Sequence, residues 1–368
     1  MPLLFAYRRW WCFAFIGLLL LPTLGLVMPD LKAPIRTVQT VPPAWWIQAT
    51  ERLDPYINNN YGFRGLFMGA HAAYSKFMKS TRERPVLIGQ KGQIFYTGEK
   101  ALDQSLGRIF RTDQVERLVR VTDRMRDVLK ARGITFAMVV PPNGQSVMPD
   151  LLPAWAQTEQ KRPTEYDSVA ATLPARGTAF ADLRPELTAA REEGPVYRRT
   201  DTHWNNRGAV LGFNAAMRAA GRPELQVPES EALGPLTPTA TGDLARYLGE
   251  TSETGDLDYP PKGPMVQPAN LKPLPGLMPA TRGNDPFEGY AYETGHAGPR
   301  ILVIGDSFSQ SFWPGLLARN ASAFGWTHHR NCRFEWSVID RFKPDIVIYA
   351  PVERAITCLG SPAGLDMK

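Results

Sequence analysis

The chain has 368 residues, 43% of them hydrophobic and 21% charged, which is enough to bury a large core and by length alone to form one to three domains. Its 42 lysines and arginines outnumber 36 aspartates and glutamates, for a net charge of +6 and a pI near 9.2; this balance suits an anionic polymer and equally describes an ordinary solvated surface. Nucleic acid is not the expected partner, because no zinc-ligand spacing, RNA-binding signature or long basic stretch is present.

Trp10 to Met28 runs without a charge, preceded by Arg8-Arg9 and followed by Pro29-Asp30. The length fits a transmembrane helix, and the arginines place the amino terminus in the cytoplasm, with Trp10 and Trp11 suited to the membrane interface. Residues 1–32 are therefore expected to form a cytoplasmic tip and anchor, and residues 33–368 a periplasmic domain at the inner membrane. A cleaved signal peptide is the competing reading, but no Ala-x-Ala site follows the apolar run.

After a proline-containing linker, residues 44–78 read as helical or mixed, with Arg64 suited to an ion pair and His71 to packing or the surface. Val86-Leu87-Ile88 and Ile94-Phe95-Tyr96 read as a hairpin around Gln90-Lys91-Gly92. Asp113 to Arg132 is the clearest soluble helix: Asp113 and Glu116 have capping-box spacing, Val115, Leu118, Thr122, Met125 and Leu129 trace one face, and Gly133 ends it. Ile134 to Val140 is a strand, and Pro141-Pro142-Asn143 must leave the sheet because neither proline can donate to it. Asn143 has two readings, a donor to an oxyanion or a turn-stabilising amide.

Phe180 to Leu183 is a short strand and Leu187 to Glu193 a short helix, leading to Tyr197 and then Arg198-Arg199-Thr200-Asp201-Thr202-His203-Trp204-Asn205-Asn206. In an extended segment residues two apart share a side, so Asp201 can stabilise the imidazolium formed when His203 takes a proton. The bland alternative is a capping aspartate and a core histidine. Arg198 and Arg199 are the local hint of polyanion binding, with Arg199 and Tyr197 as candidate substrate contacts. Asn205 or Asn206 caps the next helix, which buries Val210, Phe213 and Met217. Residues 222–299 turn to proline, glycine and small polar residues and read as a long insertion. Its Tyr247, Tyr259, Tyr290 and Tyr292 suit either sugar platforms or loop anchors; Asp243 is a site candidate, and His296 lies outside the site.

Ile301-Leu302-Val303-Ile304 then runs straight into Gly305-Asp306-Ser307, a buried strand delivering a nucleophile to its carboxyl end. A serine hydroxyl needs an adjacent base, and that base needs a third group to set its tautomer; His203 and Asp201 supply both. Pro314 to Phe324 and Glu335 to Phe342 read as helices, and Asp345 to Tyr349 as a buried strand. The alternation implies an α/β sandwich with a mainly parallel sheet. Cys332 and Cys358 bracket a helix and the following parallel strand, which run in opposite directions, so both fall at one end of the unit and can form a disulfide. His328-His329 with Cys332 is too small a cluster for zinc, and neither metal nor cofactor is expected.

Asp201-Thr202-His203-Trp204 followed far along the chain by Gly305-Asp306-Ser307-Phe308-Ser309 resembles the alginate O-acetyltransferase family, SGNH-hydrolase-like proteins of bacterial exopolysaccharide modification. Tyr61-Gly62-Phe63-Arg64, Val86 to Tyr96, Val139 to Asn143, Gly242-Asp243-Leu244 and Lys343 to Ile348 extend the resemblance over most of the chain beyond the anchor. It implies a three-layer SGNH-like sandwich with circularly permuted motif order, the Asp-His pair preceding the serine. No extra carbohydrate-binding domain fits after the last strand, so the chain resembles the membrane-anchored members. The implied activity is acetylation of exopolysaccharide hydroxyls, on alginate or a similar polymer, by a Ser307-His203-Asp201 triad with the Ser307 N–H as an oxyanion donor. The implied partners are a membrane-bound O-acyltransferase supplying acetyl groups and other polymer biosynthesis or secretion subunits. An acetyl esterase with the same triad and a non-catalytic polymer-binding scaffold are the alternatives.

Overall fold

The computed structural model describes residues 8–25, 70, 84–159, 161–263, 271–274 and 285–365. The amino-terminal unit, Met1–Glu83, contributes helix α1, Arg8–Gly25, on which Trp10, Trp11, Phe13 and Phe15 are exposed. Among the described residues no helix is long and apolar enough to cross a membrane. Residues 26–28 of the expected span lie outside the described residues, as do residues 44–78 with Arg64 and His71, apart from Ala70.

The second unit is built on a sheet that has seven strands among the described residues. In chain order the strands of this unit are β1 (Val86–Ile88), β2 (Ile94–Tyr96), β3 (Thr135–Val140), β4 (Phe180–Asp182), β5 (Thr237–Thr239), β6 (Asp256–Asp258), β7 (Lys272–Pro273), β8 (Tyr290–Glu293), β9 (Arg300–Gly305), β10 (Ala323–His328) and β11 (Ile346–Ala350). The main sheet runs β4-β3-β11-β9-β10-β8-β7, with the first five strands parallel, β8 antiparallel to β10, and β7 antiparallel to β8 at the edge. It is thus a mixed sheet with a parallel centre. Strands β1 and β2 pair as the expected hairpin, and β5 pairs with β6.

Period-2 alternation divides the core into two layers. Ala137, Val139, Ile301, Val303, Ile346 and Ile348 face one side, where helices α4 (Asn206–Ala219) and α5 (Trp313–Asn320) bury Val210, Phe213, Met217, Trp313, Leu316 and Leu317. Phe136, Met138, Val140, Leu302, Ile304, Val347 and Tyr349 face the other. Helices α2 (Thr112–Ala131), α3 (Glu165–Ala175) and α6 (Val338–Phe342) cover that side with Leu118, Val121, Met125, Leu129, Val169, Leu173, Ile339 and Phe342. Each fully buried aliphatic or aromatic side chain contributes on the order of 1.5–3 kcal/mol by leaving water, so both faces of the sheet are strongly held. This is the expected three-layer α/β sandwich.

Three local readings are corrected. Helix α2 has no capping box: its N-cap residue is Arg111 and no side chain caps it. Buried Glu165 serves the Arg111 backbone N–H instead, at 2.6 Å, and holds the same arginine's guanidinium through Nε at 2.9 Å and a second nitrogen at 2.6 Å. The helix expected to reach Phe324 ends at Asn320, and Ala323–His328 forms β10 between β9 and β8. Within the stretch 222–299, β8 joins the main sheet. There Tyr290 stacks on Trp326 at 5.7 Å, Tyr292 lies against Phe324 at 5.7 Å, and Tyr290 donates its hydroxyl to the Gln310 carbonyl at 3.2 Å. These two tyrosines therefore act as anchors of the edge.

Cys332 and Cys358 form a disulfide, with Cα atoms 5.4 Å apart and a sequence separation of 26. Closing a loop of that length contributes roughly 3–4 kcal/mol on a chain-entropy estimate. Cys358→Ser should lower the unfolding free energy by about that amount, read by denaturant melts; mass analysis of the non-reduced protein that found both thiols free would remove the bridge and this expectation together.

Candidate active site

The parallel strands β3, β9 and β11 end at one edge of the sheet, the position at which chemistry collects in open α/β folds. Strand β3 leads to Pro141-Pro142-Asn143, β9 to Asp306-Ser307, and β11 to Glu353-Arg354. The Gly305 position at the end of β9 admits no side chain, because a Cβ there would lie 2.2 Å from Ser309 Oγ and 3.3 Å from the Ala350 carbonyl oxygen. Asp306 locks the turn that follows. Its Oδ1 accepts the Phe308 N–H at 3.0 Å and its Oδ2 the Val352 N–H at 2.7 Å, with His329 Nε2 3.4 Å from the same Oδ2. Burial alone would raise the Asp306 pKa; the His329 hydrogen bond and charge outweigh it and hold the carboxyl below its usual range.

The second contribution comes from a loop closed by the antiparallel bridge between Tyr197 and Trp204. Tyr197 donates its hydroxyl to the Pro142 carbonyl at 2.5 Å, while the Trp204 indole N–H donates to the Phe308 carbonyl at 3.0 Å. The loop is thereby tied to both the β3 and the β9 strand ends. His203 Nε2 lies 2.8 Å from Ser307 Oγ, and His203 Nδ1 lies 2.8 Å from Asp201 Oδ1. The local conformation differs from the extended one expected, for Asp201 Oδ1 also accepts the His203 backbone N–H at 3.0 Å, a side-chain-to-backbone turn of the kind aspartate favours. This turn, more than strand alternation, brings the two side chains together.

Asp201 is largely buried, and its Oδ2 accepts from Arg198 at 3.1 Å. Burial would raise its pKa, but the hydrogen bonds and charge of His203, together with Arg198, hold the carboxyl at about 2. Behind it stands Asp243, whose Oδ1 accepts the Thr202 N–H at 2.8 Å. Burial first, and then the Asp201 charge, raise the Asp243 pKa. Gly242 is pressed on Asp201, since a Cβ there would fall 2.4 Å from Asp201 Cβ and 2.5 Å from its Oδ2. The ligating atoms of Asp201, His203 and Asp243 lie within 4.8 Å of one another, but both His203 ring nitrogens are already engaged by Asp201 and Ser307, which is a poor fit to a resident metal.

The other sequence candidates hold the frame. Asn143 donates its side-chain amide to Ser105 Oγ at 3.1 Å and its backbone N–H to Glu353 Oε2 at 2.8 Å, so its amide is engaged inside the protein. Tyr197 is buried, with its hydroxyl on Pro142. Arg199 donates to the Gly255 carbonyl at 2.6 Å and reaches the Gly92 carbonyl at 3.5 Å, joining the loop to its neighbours. All three stand at the site edge and make these internal hydrogen bonds. Sequence reasoning missed Glu353, a buried carboxyl raised in pKa chiefly by desolvation that gathers Asn143, Ser146 and Ser105, and it missed Arg354 beside it. The available signal was a charged pair placed just beyond a buried strand and a proline.

Residues 86–323 match the family described as SGNH hydrolase-like domain, acetyltransferase AlgX. The probable alginate O-acetylase AlgJ of Pseudomonas syringae is 26% identical over 278 residues, which is 73% of this chain and 60% of that protein. The probable alginate O-acetylase AlgJ of Pseudomonas aeruginosa is 26% identical over 228 residues, 61% of this chain and 55% of its own length. The chain thus spans less than two thirds of the curated relatives it matches. Bacillus cereus PatB1 shares the fold, with a TM-score of 0.53 at 15% identity over 74% of this chain and 97% of that one.

Proposed function

Because this chain belongs to the family of SGNH hydrolase-like, AlgX-type acetyltransferases, we propose that it transfers acetyl groups to hydroxyls of an exopolysaccharide, alginate or a similar polymer, through an acyl-serine on Ser307. The observation that carries the reading is the continuous relay from Asp201 through His203 to Ser307, with both hydrogen-bond distances at 2.8 Å. In the first half-reaction Ser307 Oγ attacks the acetyl carbonyl while His203 Nε2 takes the hydroxyl proton. Asp201 holds Nδ1–H, fixing the tautomer and stabilising the imidazolium. The Ser307 N–H, at the start of the short helix Ser307–Gln310, faces the developing oxyanion. Collapse of the tetrahedral intermediate expels the donor's leaving group, which takes the proton back from His203.

In the second half-reaction a sugar hydroxyl gives its proton to His203 and attacks the acyl-serine, and His203 then returns that proton to Ser307. The atoms balance as an exchange of one ester for another. The acetyl donor in this reading is a membrane-bound O-acyltransferase partner acting within the polymer biosynthesis or secretion complex. The test is partition: wild-type protein given an activated acetyl ester should form an acetyl adduct at Ser307 and discharge it to the polysaccharide faster than to water. Discharge to water alone, with polymer present, would leave an esterase.

The reading includes a place, the periplasmic side of the inner membrane with α1 in the anchor. It is supported by the double arginine ahead of an uncharged run from Trp10 to Met28. A reporter fused after Lys368 should be active only outside the cytoplasm; activity only inside would overturn this topology.

A further inference from the structure

Arg354 lies four residues beyond β11, and its side chain is only 12% exposed. The guanidinium sits between two rings, 5.3 Å from the Tyr96 centroid and 5.4 Å from that of Phe308, the residue that follows Ser307. Its ion pair is a long one, Nε to Glu99 Oε2 at 3.6 Å, and the Glu99 side chain is 62% exposed. That separation exceeds a hydrogen bond, and a pair with one solvated partner is worth little. Among the described residues no acceptor takes a hydrogen bond from any of the five N–H donors that a guanidinium carries. Arg354 lines a small cavity whose wall also includes Gln93, Tyr96, Asn143, Asp201 and Thr202. Thr202 Oγ1 is buried there and has no hydrogen-bond partner among the described residues.

One buried hydroxyl without a partner, Thr202 Oγ1, and one partly exposed guanidinium without a close acid thus share a cavity wall beside His203 and Phe308. An arginine fork matches a carboxylate with two parallel hydrogen bonds. The neighbouring Asp201 does not forbid an anion, because Arg198 and His203 already answer its charge.

We propose that Arg354, aided by the Thr202 hydroxyl, binds the carboxylate of an acidic sugar in the acceptor polymer and so selects a uronate-containing substrate. The proposal rests on the acetyltransfer reading for its meaning, but binding tests it without turnover. The probes are an alginate oligosaccharide and its carboxyl-reduced counterpart, titrated by calorimetry into the full chain carrying Ser307→Ala. The acidic form should bind at least about tenfold more tightly, the scale of one charge-assisted hydrogen bond. Adding Arg354→Gln should erase the preference to within about twofold, and Arg354→Lys, which keeps the charge and loses the fork, should restore part of it. Thermal melts of each variant check that the fold persists.

Equal affinity for the two oligosaccharides with Arg354 in place, no binding of either, or a preference that survives Arg354→Gln would each overturn the proposal. A variant that keeps the preference yet forms the Ser307 adduct more slowly in the wild-type serine background would assign Arg354 to the acyl half-reaction and overturn it as well. Failure of the acetyltransfer reading is seen separately, as a protein that prefers the acidic sugar but never acetylates it.

Discussion

Ser307→Ala should abolish the acetyl adduct and lower acetyl transfer by about 10⁶-fold, the scale on which removal of a triad serine acts. The hydroxyl is held 2.8 Å from His203 Nε2, and its neighbours offer no substitute. Ser309 is fully buried, donating its hydroxyl to the Asp306 carbonyl at 3.2 Å and accepting from the Trp326 indole at 3.0 Å. Stability should change little, because Ser307 is partly exposed and its side chain packs no core. The measurement is intact mass after exposure to an activated acetyl ester, paired with polymer acetylation in cells. Full polymer acetylation by a folded Ser307→Ala protein would remove the serine from the mechanism and leave a scaffold role.

The parts of this site that were legible in the sequence are those written in short, local chemistry. A run of four apolar residues into Gly305-Asp306-Ser307 announces a buried strand and its exposed end, and Asp201 and His203 are close enough in sequence to meet by a single turn. Helices α2 and α4 were legible because their apolar residues repeat with helical spacing. Strand β10 was not, because Ala323, Phe324, Gly325 and Trp326 are all buried, so the run has no polar alternation to separate it from the helix before it. What makes it a strand is non-local, its pairing with β9 on one side and β8 on the other.

The same limit explains the contacts around the site that short-range sequence does not show. Nothing near Asn143 in sequence shows that Ser105 and Glu353 will engage both its amide and its backbone. Likewise the α2 terminus looks like a capping box until Glu165, from another helix, is seen holding the Arg111 backbone and guanidinium. Each of these is a buried polar group whose partner is supplied by the fold. Tyr197 and Arg199, singled out for lying beside the Asp-His motif, also tie the loop that carries it to its surroundings.

Asp201→Asn should cost about 10⁴-fold in transfer while preserving the fold, since an amide can hold the imidazole in the wrong tautomer. The carboxylate does two things at once here: Oδ1 accepts both the His203 ring N–H and its backbone N–H, and Oδ2 accepts from Arg198. An amide oxygen placed at Oδ1 would keep the backbone turn, but its NH₂ would then face the Arg198 guanidinium. If the amide flips, NH₂ faces His203 Nδ1 and Nε2 is left carrying the proton, unable to accept one from Ser307. The pH dependence gives a second, independent readout. The folded carboxyl is held at about 2, below its ordinary 3.8, so its contribution to stability is present above the unfolded value and is lost as pH falls through the folded one. Wild-type protein should therefore lose this component between about pH 4 and pH 2 in denaturant melts, and Asp201→Asn should lack that component at every pH. Identical acid profiles for the two proteins, or near wild-type transfer by the variant, would show that Asp201 does not hold His203 as an ionised partner.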